Sequence, residues 1–236
     1  YLRATTGQQF LVGQWAGNQL SYAVQTTNDA NLNLRFLISN DGTTVNFDKG
    51  GSGTALKLNG WSHFAVTRSG NTFYLFVDGI LVGTQSGSQT LHNSTGTLAI
   101  GARNDASQDL TGLVSNVRII KGTALYTKSF NPPTAPLKNV TNTKLLCCQS
   151  NTSAESGDVV PVTVNNNSGT AGAYAPSGLT GGIDFPGGQG TSDNSNGSFL
   201  STPSTTFPGN YTIEFWFNVD SLPSDGSGGY GSVLWD

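Results

Sequence analysis

Apolar and polar residues alternate along two stretches of this chain, and a period of two predicts β-strands. Residues 61–84 read WSHFAVTRSGNTFYLFVDGILVGT, and the alternation breaks at Ser69–Asn71 and again at Asp78–Gly79. The Asp-Gly pair favours a two-residue hairpin, because both central positions of that turn take positive φ. The stretch therefore predicts three antiparallel strands joined as a meander.

The second alternating stretch, Tyr211–Val219, reads YTIEFWFNV. Its period of two predicts one face with Tyr211, Ile213, Phe215, Phe217 and Val219, and an opposite face with Thr212, Glu214, Trp216 and Asn218. No segment has sustained helical periodicity, although Gly122–Tyr126 fits a single helical turn. Further strands are predicted at Leu20–Val24, Leu32–Ser39, Thr43–Phe47, Thr97–Gly101, Leu113–Ile120, Gly181–Pro186 and Ser198–Thr202.

The composition agrees with short strands joined by many turns. Gly occurs 31 times, aromatic residues make up 10% of the chain, and 11% of residues are charged, against roughly 25% in an average domain. We therefore expect an all-β fold. The net charge of −3 with no basic block argues against a nucleic-acid partner. No apolar run approaches the roughly 20 residues that cross a bilayer, so no membrane insertion is expected.

The two cysteines, Cys147 and Cys148, are adjacent in the sequence. Neighbouring cysteines rarely form a disulfide, because the bridge strains the peptide between them. No second pair of cysteines is present to complete a metal site. We therefore expect both to be small core residues near the end of a strand.

The meander at residues 61–84 resembles the central meander of laminin-G-like domains in the concanavalin A-like lectin superfamily. The segments TLAIG and LTGLVSNVRII are similar to the closing strands of that family. The segments IDFPGG, SFLSTP and YTIEFWFNVDS are similar to its opening strands. The resemblance implies an all-β fold, an antiparallel jelly-roll β-sandwich.

The order of these segments is inverted relative to the family, because the opening strands follow the meander instead of preceding it. The final segment GYGSVLWD also resembles QQFLVGQW near the start, which gives a repeat of about 220 residues. A tandem array of repeats accounts for both observations. It divides the chain into a sandwich without its opening strands at 1–149, a Ser/Asn/Gly-rich linker at 150–182, with one strand at Val159–Val164, and the opening strands of a second unit at 183–236. A circularly permuted single domain, in which Ile183–Val219 completes the sandwich of residues 1–125, is the alternative.

The segment Arg118–Gln149, RIIKGTALYTKSFNPPTAPLKNVTNTKLLCCQ, resembles laminin-G-like domains in tail-fibre and other virion proteins of marine bacteriophages, cyanophages especially. Pro132, Pro133 and Pro136 are expected to stiffen a crossing over the rim of the sandwich, because proline fixes φ. Lys144–Cys147 can then join a sheet. The resemblance implies a structural protein of a virion appendage.

Glucanases share this fold, and glycoside hydrolysis needs two carboxylates about 5–9.5 Å apart. Such enzymes commonly carry Glu-x-Asp-x-x-Glu on one strand, but this chain has only Glu155, in the linker, and Glu214, whose strand places Trp216 and Asn218 at the partner positions. His63 is expected to be packed in a strand, and no Gly-x-Ser-x-Gly elbow is present. We therefore expect no enzymatic activity.

Two kinds of ligand remain as hypotheses. Laminin-G-like units often hold Ca²⁺ at the rim through loop aspartates and other oxygens, which is the ligand set this cation prefers. The residues that fit here are Asn104, Asp105 and Asp109 in one loop and Asp29 and Asp41 in earlier loops, although all five also suit turns. Carbohydrate would stack on exposed aromatic rings, for which the candidates are Trp15, Tyr22, Trp61, Tyr126 and Trp216.

These observations leave two functional hypotheses. The first is a non-enzymatic structural and adhesive protein of a phage virion appendage that touches host surface glycans, with copies of itself or other virion proteins as partners. The second is a secreted or cell-surface bacterial repeat protein that polymerises into an extracellular filament or matrix. The location expected is therefore the virion or the extracellular space.

Overall fold

The structure, a computed structural model, describes residues 8–15, 17–27, 33–50, 56–57, 60–103, 105, 108–160, 164–173, 175–186, 199–203 and 209–219. This part of the chain contains sixteen strands and no helix, so it has no helix that could cross a membrane. The strands are β1 Phe10–Gln14, β2 Tyr22–Thr26, β3 Leu34–Ile38, β4 Phe47–Gly50, β5 Ser62–Ser69, β6 Thr72–Val77, β7 Ile80–Ser86, β8 Leu98–Ile100, β9 Thr111–Lys121, β10 Thr143–Cys147, β11 Gly157–Val159, β12 Asn165–Asn167, β13 Thr170–Gly172, β14 Gly182–Pro186, β15 Phe199–Thr202 and β16 Tyr211–Val219.

The strands form two antiparallel sheets, as the all-β sandwich prediction requires. The seven-stranded sheet has the order β12-β15-β8-β1-β2-β3-β4. The nine-stranded sheet has the path β11-β10-β9-β16-β5-β6-β7, with β14 pairing β9 and β13 pairing β14. One apolar core, in which Val24 and Phe36 of the first sheet meet Phe64 and Phe215 of the second, lies between them. Burying alternate residues of both sheets is what stabilises a sandwich of this kind.

The predicted meander is confirmed as β5, β6 and β7. The turn between β6 and β7 has Asp78 at φ 49° and Gly79 at φ 74°, the two positive values that the Asp-Gly pair predicts. Gly79 is also required by packing, because a Cβ there would lie 2.0 Å from the carbonyl oxygen of Phe130. The segment after β9 therefore passes directly over this turn.

Strand β16 lies at the centre of the nine-stranded sheet, between β5 and β9. Tyr211 to Phe217 pair with Arg68 to Ser62 on one side, and Tyr211 to Val219 pair with Lys121 to Gly112 on the other. The predicted faces are confirmed where the side chains are described, since Tyr211, Ile213, Phe215 and Phe217 all enter the core.

Strands from all three predicted parts of the chain share the same two sheets. In particular, β14 pairs with β9 and β15 pairs with β8, so the later strands complete the sandwich in the way the permuted alternative expects. The division at 1–149, 150–182 and 183–236 concerns a longer array, and it stays a prediction.

Three local predictions need correction. Residues 43–46 are loop rather than strand, and β4 starts only at Phe47, because the Asp41 carboxylate accepts the N–H groups of Thr43 and Thr44 in a turn. Gly122–Tyr126 forms no helical turn. The predicted strand Val159–Val164 is replaced by β11, which ends at Val159, and by β12, which starts after Val164; residues 161–163 lie outside the described part.

The partner of β9 changes along its length at Asn116. Residues 111–114 pair with β14, whereas residues 117–120 pair with β10. Asn116 takes φ 56°, a left-handed conformation that Asn tolerates better than most residues. Its side-chain oxygen accepts the N–H of Leu137 at 2.9 Å and the amide of Gln149 at 2.8 Å. Asn116 therefore holds the junction between two partner strands and the segment that crosses the sheet.

Asn116→Ala should lower the free energy of unfolding by about 2–4 kcal/mol, since it combines a left-handed alanine with the loss of the acceptor for the buried N–H of Leu137 and of one acceptor for the half-buried amide of Gln149. Asn116→Gly keeps the backbone conformation and should cost less than the alanine variant. Urea unfolding followed by circular dichroism measures both. The control is Asn142→Ala, at an exposed asparagine with φ 72°, which should cost only about 1 kcal/mol. Equal losses at the two asparagines would contradict the junction role.

Candidate functional site

The segment between β9 and β10, residues 122–142, crosses the outer face of the nine-stranded sheet, and we refer to it as the strap. Near its start, the hydroxyl of Thr212 accepts the N–H of Leu125. At its far point, Phe130 donates its N–H to the carbonyl of Gly79 at 2.9 Å. On its return, Leu137 reaches Asn116. The proline-containing segment therefore crosses from β9 to the β6–β7 turn over the face of the sheet, whereas the prediction places it over the rim of the sandwich.

A buried ion pair lies under the strap. Glu214 of β16 is 0% exposed, and Arg118 of β9, directly opposite in the register, is 6% exposed. Arg118 donates from Nε to Glu214 Oε1 at 2.6 Å, and its Nη2 contacts the same oxygen. The strap completes the hydrogen bonds, because Tyr126 donates its hydroxyl to Glu214 Oε2 at 2.9 Å and the carbonyl of Lys138 accepts from Arg118 Nη1 at 2.9 Å.

Aromatic rings surround this pair. The rings of Tyr126 and Phe130 in the strap are stacked, with centroids 3.6 Å apart. His63 of β5 is fully buried, with its ring edge-on to Phe130 and to Trp216. The Nε2 of His63 lies 3.7 Å from Glu214 Oε2, longer than a hydrogen bond. The site is therefore a closed polar cluster within an aromatic shell, and His63 is packed in its strand as predicted.

The electrostatics of the cluster favour an ionised glutamate. Burial raises the pKa of Glu214, but the neighbouring His63 and Arg118 outweigh that effect and hold the pKa below its usual value. Burial and the Glu214 carboxylate raise the pKa of Tyr126, so this phenol stays a hydrogen-bond donor. A carboxylate whose pKa is lowered and whose oxygens both accept hydrogen bonds is unsuited to the proton transfer that a general acid needs.

The geometry does not assemble hydrolytic chemistry around Glu214. No described residue supplies a second carboxylate within the cluster, whose charged members are Arg118 and Glu214. Cys147 and Cys148 are both buried free thiols with sulfurs 3.6 Å apart, as expected for core residues at the end of β10. The contact with Cys147 and burial together raise the pKa of the Cys148 thiol, which disfavours the nucleophilic thiolate.

The calcium candidates do not converge on one site. The exposed carboxylate of Asp41 is used by its own turn, and hydrogen bonds from Thr44 and Thr43 lower its pKa. Asp41 follows Ile38, the last residue of β3. Asp109 lies at the opposite end of the same sheet, because the carbonyl of its neighbour Gln108 accepts the N–H of Phe10, the first residue of β1.

Asp105 lies 3.5 Å from the guanidinium of Arg103, a cation that disfavours a second one nearby. The described residues contain no cluster of three His, Cys, Asp or Glu side chains. Asp29 and Asn104 fall outside the described part, so a calcium site that includes them stays a prediction.

Two of the five aromatic candidates for sugar stacking are buried. Tyr22 is 1% exposed in the core between the sheets, and Trp15 is 6% exposed in a second apolar cluster with Phe10 and Leu37. Tyr126 is half-exposed and stacks its ring on that of Phe130. Trp61, Tyr126 and Trp216 are half-exposed, so among the described candidates these three rings keep part of their surface for a ligand.

Comparison with known proteins gives one match. A laminin-G family model, described as belonging to the concanavalin A-like lectin/glucanases superfamily, matches residues 1–125. The match covers β1 to β9 and the first residues of the strap. No curated protein and no solved structure matches the chain.

Glu214→Gln should lower the free energy of unfolding by about 3–5 kcal/mol, because it leaves the buried Arg118 without a charge partner. The difference from the wild type should be full above pH 4.5, the usual value for glutamate. The difference should shrink as the pH falls through the lowered pKa that Glu214 has in the folded protein. Protonation then removes the charge that pairs with Arg118 in the wild type. Urea unfolding at several pH values measures this.

The matched control is Glu155→Gln, at an exposed glutamate that has no hydrogen-bond or ion-pair partner among the residues the structure describes. It should change stability by less than about 0.5 kcal/mol at any pH. The double variant Arg118→Met with Glu214→Gln should cost less than the sum of its single changes. Additive losses would indicate that the two side chains do not act as a pair.

Proposed function

Because the chain belongs to the concanavalin A-like lectin/glucanases superfamily, we propose that it is a non-enzymatic adhesive domain that binds carbohydrate. Membership in this superfamily suggests a carbohydrate-binding or adhesive role. The observation that favours binding over hydrolysis is the Arg118–Glu214 pair, which occupies the single glutamate found in the strands. A hydrolase of this fold would need that position, or one near it, for a pair of reactive carboxylates.

The biological setting we propose is a phage virion appendage that contacts host surface glycans. The support comes from residues 118–149, whose sequence resembles virion proteins and whose strap is fixed to the sheet at both ends and at its far point. A sandwich whose long connection is fixed to the sheet suits an appendage that bears load. The partners in this setting are copies of the chain or other virion proteins.

A secreted or cell-surface repeat protein that polymerises is the second candidate. The observation that favours it is the central position of β16, which pairs on both sides. A strand in that position could be supplied by a neighbouring unit with the same hydrogen bonds, as in β-strand addition. The two candidates differ in where the protein is found and in whether copies associate.

The intact chain should bind immobilised neutral polysaccharides weakly, with dissociation constants on the order of 10 μM to 1 mM, and should release no reducing ends from them. Heat-denatured protein is the control for nonspecific adsorption. Surface plasmon resonance measures binding, and a reducing-sugar assay measures hydrolysis. Release of reducing ends that disappears in Glu214→Gln would make the protein a hydrolase.

Antibodies against the chain should label the tails of purified phage particles in immunogold electron microscopy of a sample that contains the protein. Pre-immune serum on the same grids is the control. Gold along filaments on bacterial cells, with unlabelled particles, would instead support the polymerising repeat protein.

A further inference from the structure

We propose that a groove beside the end of the strap is a binding site for a neutral, hydroxyl-rich ligand, a short saccharide. This inference rests on the proposed function, and it assigns the binding to a place away from the aromatic cluster. The groove has a volume of about 460 Å³, within the range of roughly 300–1,000 Å³ typical of small-molecule sites. Its walls come from the strap at residues 135–138, from residues 149–150 after β10, from residues 156–158 at the start of β11, and from Thr180.

The walls of the groove are held in place by hydrogen bonds within the protein. Leu137 is fixed through its N–H by Asn116 at 2.9 Å and through its carbonyl by the amide of Gln149 at 2.8 Å. The hydroxyl of Ser150 accepts the N–H groups of Thr152 and Ser153. The site is therefore formed before a ligand arrives, which reduces the entropy lost on binding.

Three polar side chains in the groove have unused hydrogen-bonding capacity. Lys138 and Asp158 are exposed, as is Ser156, and we find no ion pair or side-chain hydrogen bond for any of them within the described residues. An ammonium only donates, a carboxylate only accepts, and a serine hydroxyl does both. A ligand that uses all three must both donate and accept.

The charges select a neutral ligand. An anion would be attracted by Lys138 but repelled by Asp158. A cation would be attracted by Asp158 but repelled by Lys138. Sugar hydroxyls donate and accept from the same atom, so they match both side chains without carrying charge. Ala135 and Pro136 provide an apolar wall for the C–H face of a sugar ring. A short neutral saccharide therefore fits better than a uronic acid or an amino sugar.

The test is a chemical-shift titration of the ¹⁵N-labelled intact chain with maltose, cellobiose and lactose. These neutral disaccharides are compared with a disaccharide that contains glucuronic acid and one that contains glucosamine. At least one neutral disaccharide should shift the amides of residues 135–138, 149–150 and 156–158. Asp158→Asn and Lys138→Met should each weaken that binding about tenfold, the loss of one charge-assisted hydrogen bond.

Two matched variants separate the groove from general charge effects. Glu155→Gln removes a negative charge three residues from Asp158, and Lys144→Met removes an exposed positive charge on β10, both outside the groove. Neither should change the titration. Circular dichroism checks that all four variants are folded.

Several outcomes would overturn the inference. Shifts around Trp61, Tyr126 or Trp216, with full binding by Asp158→Asn and Lys138→Met, would refute the groove but leave the proposed carbohydrate binding intact. Tighter binding of either charged disaccharide would refute the neutral ligand class. No shift with any of the saccharides, together with no binding to polysaccharide, would refute both the groove and the proposed function.

Discussion

The buried contact between Arg118 and Glu214 is stable only if the rest of the fold covers it and completes its hydrogen bonds. Two charges removed from water are stable only when their attraction and additional hydrogen bonds offset the lost solvation. Here the additional bonds come from Tyr126 and Lys138, both in the strap. Without the strap, the outer face of the nine-stranded sheet would expose this pair to water. The strap, β9 and β16 are therefore interdependent, although Arg118 and Glu214 are 96 residues apart in the chain.

Because the ion pair must stay covered, the surface that stabilises this molecule is not the surface that is open to a ligand. The outer face of the nine-stranded sheet is occupied by the ion pair, by His63 and by the rings of Tyr126 and Phe130, so it resembles a second core. A ligand that entered there would have to displace the strap and remove the hydrogen bonds that Tyr126 and the Lys138 carbonyl make to the buried ion pair, which is costly for charges held out of water. Ligand contacts are therefore less costly at the margins of the strap, where Lys138 and Asp158 still face solvent.

The sequence was sufficient to predict the features that depend on neighbouring residues. Alternation in Tyr211–Val219 identified the strand and its inward face, and the Asp-Gly turn identified the meander. The predicted strand at Thr43–Phe47 was wrong because turn formation by Asp41 overrides the β-propensity of the residues that follow. That signal was present in the sequence as Asn40-Asp41-Gly42, a combination typical of turns.

The features that depend on distant pairing could not be predicted in the same way. Glu214 was recognised as the only glutamate in a strand, but its partner depends on the register between β16 and β9. The burial of Tyr22 depends on which face of β2 meets the second sheet, and the partial cover of Tyr126 depends on the path of the strap. An aromatic residue in a strand is equally compatible with a core and with an open sugar platform until the covering layer is known.

The ion pair also fixes how β16 fits between its neighbours. A shift of one residue in a β-strand moves every side chain to the opposite face. Such a shift would bring Glu214 into the apolar core beside Phe64 and Phe215, far from Arg118, and would turn Ile213 outward under the strap. Because an unpaired buried carboxylate is far more costly than a mismatched apolar contact, the slipped pairing is strongly excluded. The constraint acts through the strand itself, so it would hold equally whether β16 comes from the same chain or from a neighbouring repeat.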